Sequence, residues 1–161
     1  MKYLTQTARW SSLVTLAAAL LCTMLATPAV TDETCMSPYM AKIVGQEDYV
    51  YVWTLGVPGL GDEQDKLVTI DVNPKSANYG TIIDTLSVGG RNEAHHSGLT
   101  DDRRYLWAAG LDTNKIFIFD IATNPAKPVL HKTIDDFVAK TGGLVGTHTT
   151  YAMPGLTVGT G

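Results

Sequence analysis

Histidines are the residues whose type and placement could support chemistry in this 161-residue chain, which contains four of them. His95 and His96 are adjacent within "NEAHHSG", residues 92–98, and His148 lies within "GTHTTYAMP". Imidazole nitrogens bind copper, zinc, iron and nickel, whereas calcium and magnesium prefer oxygen ligands. The pattern predicts a transition-metal site, provided that the fold brings these segments together.

A second interpretation of the paired histidines stays open, in which both are loop residues that bond to backbone carbonyls. Adjacent side chains of an extended chain face opposite ways, so we expect only one of His95 and His96 to bind a metal directly. Glu93 and Ser97 flank the pair and could hold an imidazole in one tautomer. His131 lies inside a predicted strand, where we expect a structural or exposed role.

Residues 1–29 have the features of a secretory signal peptide. A start that contains one lysine and one arginine precedes an apolar run from Leu13 to Ala26. This run is too short for a comfortable membrane span, which needs about 20 apolar residues. We therefore expect cleavage near Ala29 and export to the periplasm. Residues 30–161 then form the folded part, with no membrane segment.

The net charge of the expected mature chain limits its partners. Residues 1–29 hold two of the 12 basic residues and none of the 16 acidic ones, so the mature chain keeps 10 basic residues and is acidic. An acidic chain without a basic cluster argues against nucleic acid or anionic lipid as a partner. Cys35 would be the only cysteine left, which excludes an intramolecular disulfide.

Short apolar runs separated by turn residues predict an all-β fold. "GVPGLGDE" is predicted to be a turn, because its glycine order does not fit a dinucleotide-binding loop. A short helical turn is predicted around Ile134–Lys140. The predicted strands lie near Tyr49–Leu55, Leu67–Val72, Thr81–Leu86, Tyr105–Ala109, Lys115–Ile121 and Val129–Thr133.

An internal repeat indicates which all-β fold this is. "DKLVTIDVNPKSANYGTIIDTL" and "NKIFIFDIATNPAKPVLHKTI" share an Asp/Asn-Lys opening, an alternating strand, an Asn-Pro turn and a returning strand. Lys66 and Lys115 stand 49 residues apart, as do Asp71 and Asp120. We interpret these aspartates as turn residues. A strand repeat of this length is typical of β-propeller blades.

The length of the chain fits only part of a propeller. Closed propellers have about four to eight blades of four strands each. After signal removal, about 130 residues would make roughly two and a half blades at the observed period. We therefore expect the N-terminal blades of a longer, truncated propeller, ending in "GLTVGTG" without a finishing strand. A small complete β domain is the alternative.

The blade period also relates the histidines to one another. His96 and His148 stand 52 residues apart, close to the repeat length. Each follows a returning strand, in the connection that hands the chain to the innermost strand of the next blade. Side chains at equivalent positions of successive blades point toward the same axis, so the two imidazoles are predicted to converge.

The quoted histidine motifs also carry a family resemblance. Together with "CMSPYMAKIVGQEDYVYVWTLGVPGLGDEQDKLVTIDVNP", they resemble the N-terminal part of the selenium-binding protein family, and most closely its exported bacterial branch, the methanethiol oxidases. The resemblance extends from about Cys35 to Gly155. It implies a β-propeller and a copper-dependent oxidase that converts methanethiol, oxygen and water into formaldehyde, hydrogen sulfide and hydrogen peroxide.

The same resemblance implies roles for individual residues. The copper ligands would be among His95, His96 and His148, with at least one further ligand outside this sequence, so we expect the isolated chain to be inactive. Cys35 would be a selenium or thiol site, although a plain exposed thiol is the simpler interpretation because no basic neighbour lowers its pKa. The expected partners are a small-molecule thiol and oxygen, and oligomers are compatible with the sequence.

Two other classes of protein fit parts of the pattern. A non-catalytic propeller could carry selenium or sulfur compounds, with the histidines in structural roles. A calcium-dependent propeller hydrolase would need converging Asp, Glu and Asn side chains. Asp71 and Asp120 recur at strand ends instead, where turn formation explains them.

Overall fold

The computed structural model describes residues 45–160, and side chains are described for residues 45–155. The predicted signal peptide, its cleavage point and Cys35 lie outside the described residues. Within the described part, no helix is long and apolar enough to cross a membrane.

Nine strands and one short helix make up the described part of the chain. The helix, α1, is Phe137–Lys140, inside the range predicted for a helical turn. The strands are β1 Tyr49–Thr54, β2 Lys66–Asp71, β3 Ile82–Ser87, β4 Ala94–Leu99, β5 Tyr105–Gly110, β6 Lys115–Asp120, β7 Val129–Ile134, β8 Thr149–Met153 and β9 Leu156–Thr160.

The strands form three antiparallel sheets in chain order. Their orders are β1-β2-β3, β4-β5-β6-β7 and β8-β9, so hydrogen-bonded neighbours are always consecutive strands. Strand β4 packs beside both β1 and β8, which makes each sheet follow the one before it. Four-stranded meanders arranged in series are the blades of a β-propeller. The predicted all-β propeller fold is confirmed, and the middle sheet is a complete four-stranded blade.

The six predicted strands are all present, but three further strands were not predicted. Strand β4 contains the histidine pair that the sequence placed in a connecting loop. Strands β8 and β9 form a hairpin around Pro154 and Gly155, with Met153 opposite Leu156. The expectation that "GLTVGTG" has no strand is therefore wrong. Gly155 adopts a φ of +67°, the left-handed conformation that lets a tight turn reverse the chain here.

The hydrophobic core lies where the first two sheets meet. Its buried members are Leu67, Leu106, Ala108, Phe117, Phe119 and Ile121. Trp53 of β1 packs on Phe117 and Phe119, with ring centroids 5.6 and 5.8 Å apart. Its indole Nε1–H also donates a 3.0 Å hydrogen bond to the carbonyl of Ala109. Trp53 therefore joins the two sheets.

The repeated aspartates shape turns, as predicted. Asp71 accepts hydrogen bonds from the Asn73 N–H at 2.9 Å and from the Ser76 hydroxyl at 2.6 Å. Asp120 accepts from the N–H groups of Ala122 and Thr123, both at 3.0 Å. These bonds close the connections β2–β3 and β6–β7. The two carboxylates serve local structure, so the calcium-site interpretation gains no support from them.

Candidate metal centre

Three imidazoles from two successive sheets meet at one place. His95 and His96 lie in β4, and His148 immediately precedes β8. One nitrogen donor from each ring lies within 4.8 Å of the other two. The ring centroids are 4.7 Å apart for His95 and His96, 4.4 Å for His95 and His148, and 4.8 Å for His96 and His148. The convergence expected from the blade period is present.

An irregularity in β4 explains why both adjacent histidines take part. Ala94 is opposite Gly110 while Ser97 is opposite Ala108, so β4 advances three residues where β5 advances two. One extra residue in a strand is a β-bulge, which redirects side chains. The alternation of a regular strand does not apply at this point, so both rings reach the cluster. That only one of the two binds a metal directly stays a prediction.

A glycine allows the innermost strands to approach closely. A Cβ atom added to Gly98 would lie 2.6 Å from the Thr150 carbonyl oxygen and 2.7 Å from its hydroxyl. Thr150 is buried, and its hydroxyl lies 3.5 Å from the carbonyl oxygen of Trp107 in β5. Strands β4 and β8 therefore touch through backbone at Gly98, and this contact holds His148 near the histidine pair.

The surroundings of His95 favour the form of imidazole that binds metals. Burial lowers the pKa of His95 below its ordinary value, and the neighbouring His148 and His96 lower it further. A neutral imidazole keeps a lone pair for a metal, whereas a protonated one does not. His95 is half-buried, while His96 and His148 are exposed in the described part of the chain.

The two polar residues that were expected to orient an imidazole do not do so. The Glu93 carboxyl is hydrogen-bonded to Asp112, which raises the pKa of Glu93. Asp112 also pairs with Arg91, with Nη1 and Oδ2 2.9 Å apart. Among the described residues, neither Glu93 nor Ser97 accepts a hydrogen bond from an imidazole.

His131 lies apart from the cluster, as expected. It is an exposed residue of the outer strand β7, and its ring lies against that of Tyr105 in a tilted contact, with centroids 4.9 Å apart. His131 is therefore the natural control for any experiment on the other three histidines.

The sequence did not identify the buried polar residues that precede the histidines. Asp65, Asn92 and Thr147 are 0%, 3% and 2% exposed, respectively. The Asp65 and Asn92 side chains bond to backbone groups of the segment that leads into β4. The Thr147 hydroxyl donates to the Gly110 carbonyl at the end of β5. The repeated Asp/Asn-Lys opening was the available signal, because Asp65 and Asn114 occupy the same position in the two repeats.

The donor set can be tested for its fit to a metal ion. Two nitrogens that bind one ion at roughly 2.0 Å each lie at most about 4 Å apart. The observed spread of up to 4.8 Å is within about an ångström of that limit. In the part of the chain that the structure describes, this cluster consists of three imidazoles and no carboxylate. Nitrogen donors suit copper or a similar transition metal, and do not suit calcium.

Comparison with known proteins places the chain among longer relatives. The family described as "56kDa selenium binding protein (SBP56)" matches residues 29–159. The chain is 62% identical over 146 residues to a protein named methanethiol oxidase from Ruegeria pomeroyi, a match that covers 91% of this chain and 34% of the relative. It is 67% identical over 125 residues to a methanethiol oxidase from Hyphomicrobium sp, covering 77% of this chain and 28% of the relative.

More distant relatives carry another name. Selenium-binding protein 1 of Arabidopsis thaliana is 34% identical over 132 residues, which cover 73% of this chain and 26% of the relative. A solved structure titled as a hypothetical selenium-binding protein from Sulfolobus tokodaii matches with a TM-score of 0.56 and 29% identity, over 75% of this chain and 30% of that one. The chain thus spans about a quarter to a third of the length of the relatives it matches.

Proposed function

Because the chain belongs to the 56 kDa selenium binding protein family, we propose that it forms part of a copper-dependent methanethiol oxidase. The proposed reaction converts methanethiol, oxygen and water into formaldehyde, hydrogen sulfide and hydrogen peroxide. The observation that carries this proposal is the meeting of three imidazoles from two successive blades. Relatives named methanethiol oxidase at 62% and 67% identity support the choice of reaction.

In this proposal, His95, His96 and His148 hold the copper ion. When bound, copper would supply one-electron redox chemistry and an affinity for the sulfur of a thiol. The chain itself contributes a lone pair from His95, and burial, which lowers the pKa of this imidazole, favours the neutral form that carries it. The bulge in β4 aims both adjacent rings the same way, and Gly98 keeps β8 within reach. At least one further ligand would come from outside this sequence.

The substrates of the proposed oxidase are small molecules, a thiol and oxygen, which need no extended docking surface.

Export to the periplasm, directed by residues 1–29, is part of the proposal. N-terminal sequencing of the purified protein tests it, because a mature chain that begins near Val30 is expected. An intact Met1 on the soluble cytoplasmic protein would rule export out.

A non-catalytic selenium carrier is the second candidate function. Arabidopsis thaliana relatives at 32% to 34% identity are named selenium-binding proteins, which favours this candidate independently of the histidines. Cys35 is the residue of this chain that would bind selenium. Cys35→Ser should abolish selenium binding in the carrier and leave thiol oxidation unchanged in the oxidase.

The two candidates separate in one experiment on the full-length protein, meaning the product of the complete reading frame that carries this chain. The copper-loaded protein should consume methanethiol and release hydrogen peroxide in equal amounts, and the metal-free protein should not. Tight selenite binding without methanethiol turnover would contradict the oxidase and support the carrier. The isolated 161-residue chain should show no turnover, because the remaining ligand is missing.

A further inference from the structure

Two turn residues at equivalent positions of the repeat hold the segments that lead into the histidines. We propose that Asp65 and Asn114 are positioning residues. Asp65 sets the positions of His95 and His96 in the cluster, and Asn114 sets the position of His148. Asp65 and Asn114 stand 49 residues apart, which is the period of the repeat. Each immediately precedes the lysine that begins a strand, β2 or β6.

The Asp65 carboxylate is fully buried and binds backbone donors from two different connections. Oδ1 accepts from the Gly56 N–H at 2.7 Å, and Oδ2 accepts from the Asn92 N–H at 2.8 Å. The Asp65 N–H donates to the Gly90 carbonyl at 3.0 Å. Among the described residues, no cation pairs with this carboxylate. Its charge is therefore stabilised by backbone groups, and any movement that broke these bonds would leave a buried charge unsatisfied.

Asn92 continues this connection toward the histidine pair. Its side-chain NH₂ group lies 3.3 Å from the Gly89 carbonyl oxygen and 3.2 Å from that of Gly90. Its Oδ1 accepts a 3.0 Å hydrogen bond from the Thr113 hydroxyl. The chain is thus fixed three residues before His95. The backbone between the Asp65 contact and the bulge therefore has little freedom to move.

Asn114 makes the corresponding contact for His148. Its Oδ1 accepts from the Gly146 N–H at 2.5 Å, two residues before the histidine. The next residue, Thr147, is buried, and its hydroxyl lies 3.2 Å from the Gly110 carbonyl oxygen and 3.0 Å from that of Lys115. Asn114 itself has a φ of +55°, a left-handed conformation that asparagine tolerates better than most residues.

Both contacts tie a histidine-bearing segment to the hairpin turn of the preceding blade. Asp65 lies at the end of the β1–β2 connection, and Asn114 lies in the β5–β6 connection. Ligands of one metal ion must meet within a few tenths of an ångström, so a shift of either segment would separate the imidazoles. The metal part of this inference rests on the proposed function, whereas the positioning part rests on the hydrogen bonds alone.

The test compares residues at the two ends of the same strands in the full-length protein. Asp65→Ala and Asn114→Ala remove the proposed contacts, while Asp71→Ala and Asp120→Ala remove turn carboxylates at the opposite ends of β2 and β6. With Cu(II) alone as the probe, the first pair should bind roughly 10-fold more weakly and change the copper EPR hyperfine pattern. The control pair should keep the wild-type spectrum, even where thermal stability falls.

Conservative variants separate positioning from general loss of structure. Asn114→Asp keeps an oxygen acceptor for Gly146 and should restore the wild-type affinity and EPR spectrum. Asp65→Asn keeps one acceptor and places an amide NH₂ against the other backbone donor, so its affinity should lie between those of wild type and Asp65→Ala. If Asp65→Ala does not fold, Asp65→Asn and the two Asn114 variants decide. Wild-type affinity and spectrum in Asn114→Ala and Asp65→Asn would overturn the proposal.

A metal-free measurement keeps this inference independent of the oxidase. In ¹⁵N NMR spectra, the ring signals of His95 and His148 should move in the Asp65 and Asn114 alanine variants, and the His131 signal should not. If the wild-type protein binds copper at these histidines without oxidising methanethiol, the proposed function fails, and the Asp65 and Asn114 variants alone decide the positioning role. If it binds no copper, the ring signals decide, and unchanged signals overturn the inference.

Discussion

The central strand β6 and the innermost strand β4 of the second blade are held in place by different interactions. Strand β6, "KIFIFD", is buried at its four middle positions and supplies the core with Phe117 and Phe119. Strand β4, "AHHSGL", has no fully buried residue and is interrupted by a bulge. Packing defines β6, whereas hydrogen bonds from neighbouring segments define β4. A strand that carries a candidate site can therefore lack the apolar pattern of a strand and still be held in place.

The largest effect on stability is expected in the core region. Phe119 is 0% exposed and packs against Trp53. Phe119→Ala should lower the free energy of unfolding by about 3–5 kcal/mol because it removes a buried ring and leaves a cavity. Urea denaturation followed by tryptophan fluorescence measures this loss. The control Lys132→Ala, on the exposed strand β7, should stay within about 0.5 kcal/mol of wild type. Equal losses of unfolding free energy in Phe119→Ala and Lys132→Ala would contradict the claim that core packing defines β6.

A smaller stability effect with a larger effect on metal binding is expected at Gly98. A methyl group there would lie 2.6 Å from the Thr150 carbonyl oxygen, so β4 and β8 must move apart. Gly98→Ala should cost about 1–3 kcal/mol, which is the usual range for overpacking. Copper content should fall because His148 moves away from the histidine pair. Ser97→Ala is the control at the neighbouring exposed position. Full copper content in Gly98→Ala would show that the strand contact does not set the site.

The parts predicted from sequence are those in which side-chain pattern and backbone structure agree. Strand β2 was predicted from an apolar run between turn residues, although two of its three buried positions, Thr69 and Asp71, are polar. The 52-residue spacing of His96 and His148 predicted their convergence, because equivalent positions of successive blades face one axis.

The unpredicted parts depend on contacts distant in sequence. The bulge in β4 arises from its pairing with β5, and "AHHSGL" alone does not indicate it. Glu93 was expected to orient an imidazole, but the distant Asp112 engages its carboxyl instead. The role of Asp65 was not visible either, because its partner Asn92 lies 27 residues along the chain. The local sequence pattern predicts the strands, whereas hydrogen bonds between distant segments determine the details of the candidate site.

The smallest effect is expected at a contact between the first two blades, away from the cluster. The Tyr51 hydroxyl donates a 2.8 Å hydrogen bond to the Pro125 carbonyl. Burial raises the pKa of Tyr51 from 10.0 to about 12, and the nearby Tyr49 and Glu47 make smaller contributions in the same direction. A raised pKa means that the folded state favours the neutral phenol. The resulting stability is fully present below about pH 10 and is lost as the pH rises toward 12.

Tyr51→Phe should lower stability by about 0.5–1.5 kcal/mol at neutral pH, the usual net value of one hydrogen bond. It should also remove part of the stability loss between about pH 10 and 12, since no phenol remains to ionise. Thermal unfolding at pH 7 and at pH 11 measures both effects. A difference between variant and wild type that is the same at the two pH values would contradict the assigned cause. Copper binding should be unchanged, because Tyr51 lies outside the cluster.

Copper content of the full-length protein tests the central claim most directly. Metal analysis and Cu(II) EPR should be carried out on wild type, His96→Ala, His148→Ala and His131→Ala after identical copper loading and desalting. We predict that His96→Ala and His148→Ala each lose most of the bound copper and lose methanethiol oxidation in parallel, while His131→Ala retains both. Full copper occupancy with normal turnover in both the His96 and the His148 variants would contradict the proposed centre.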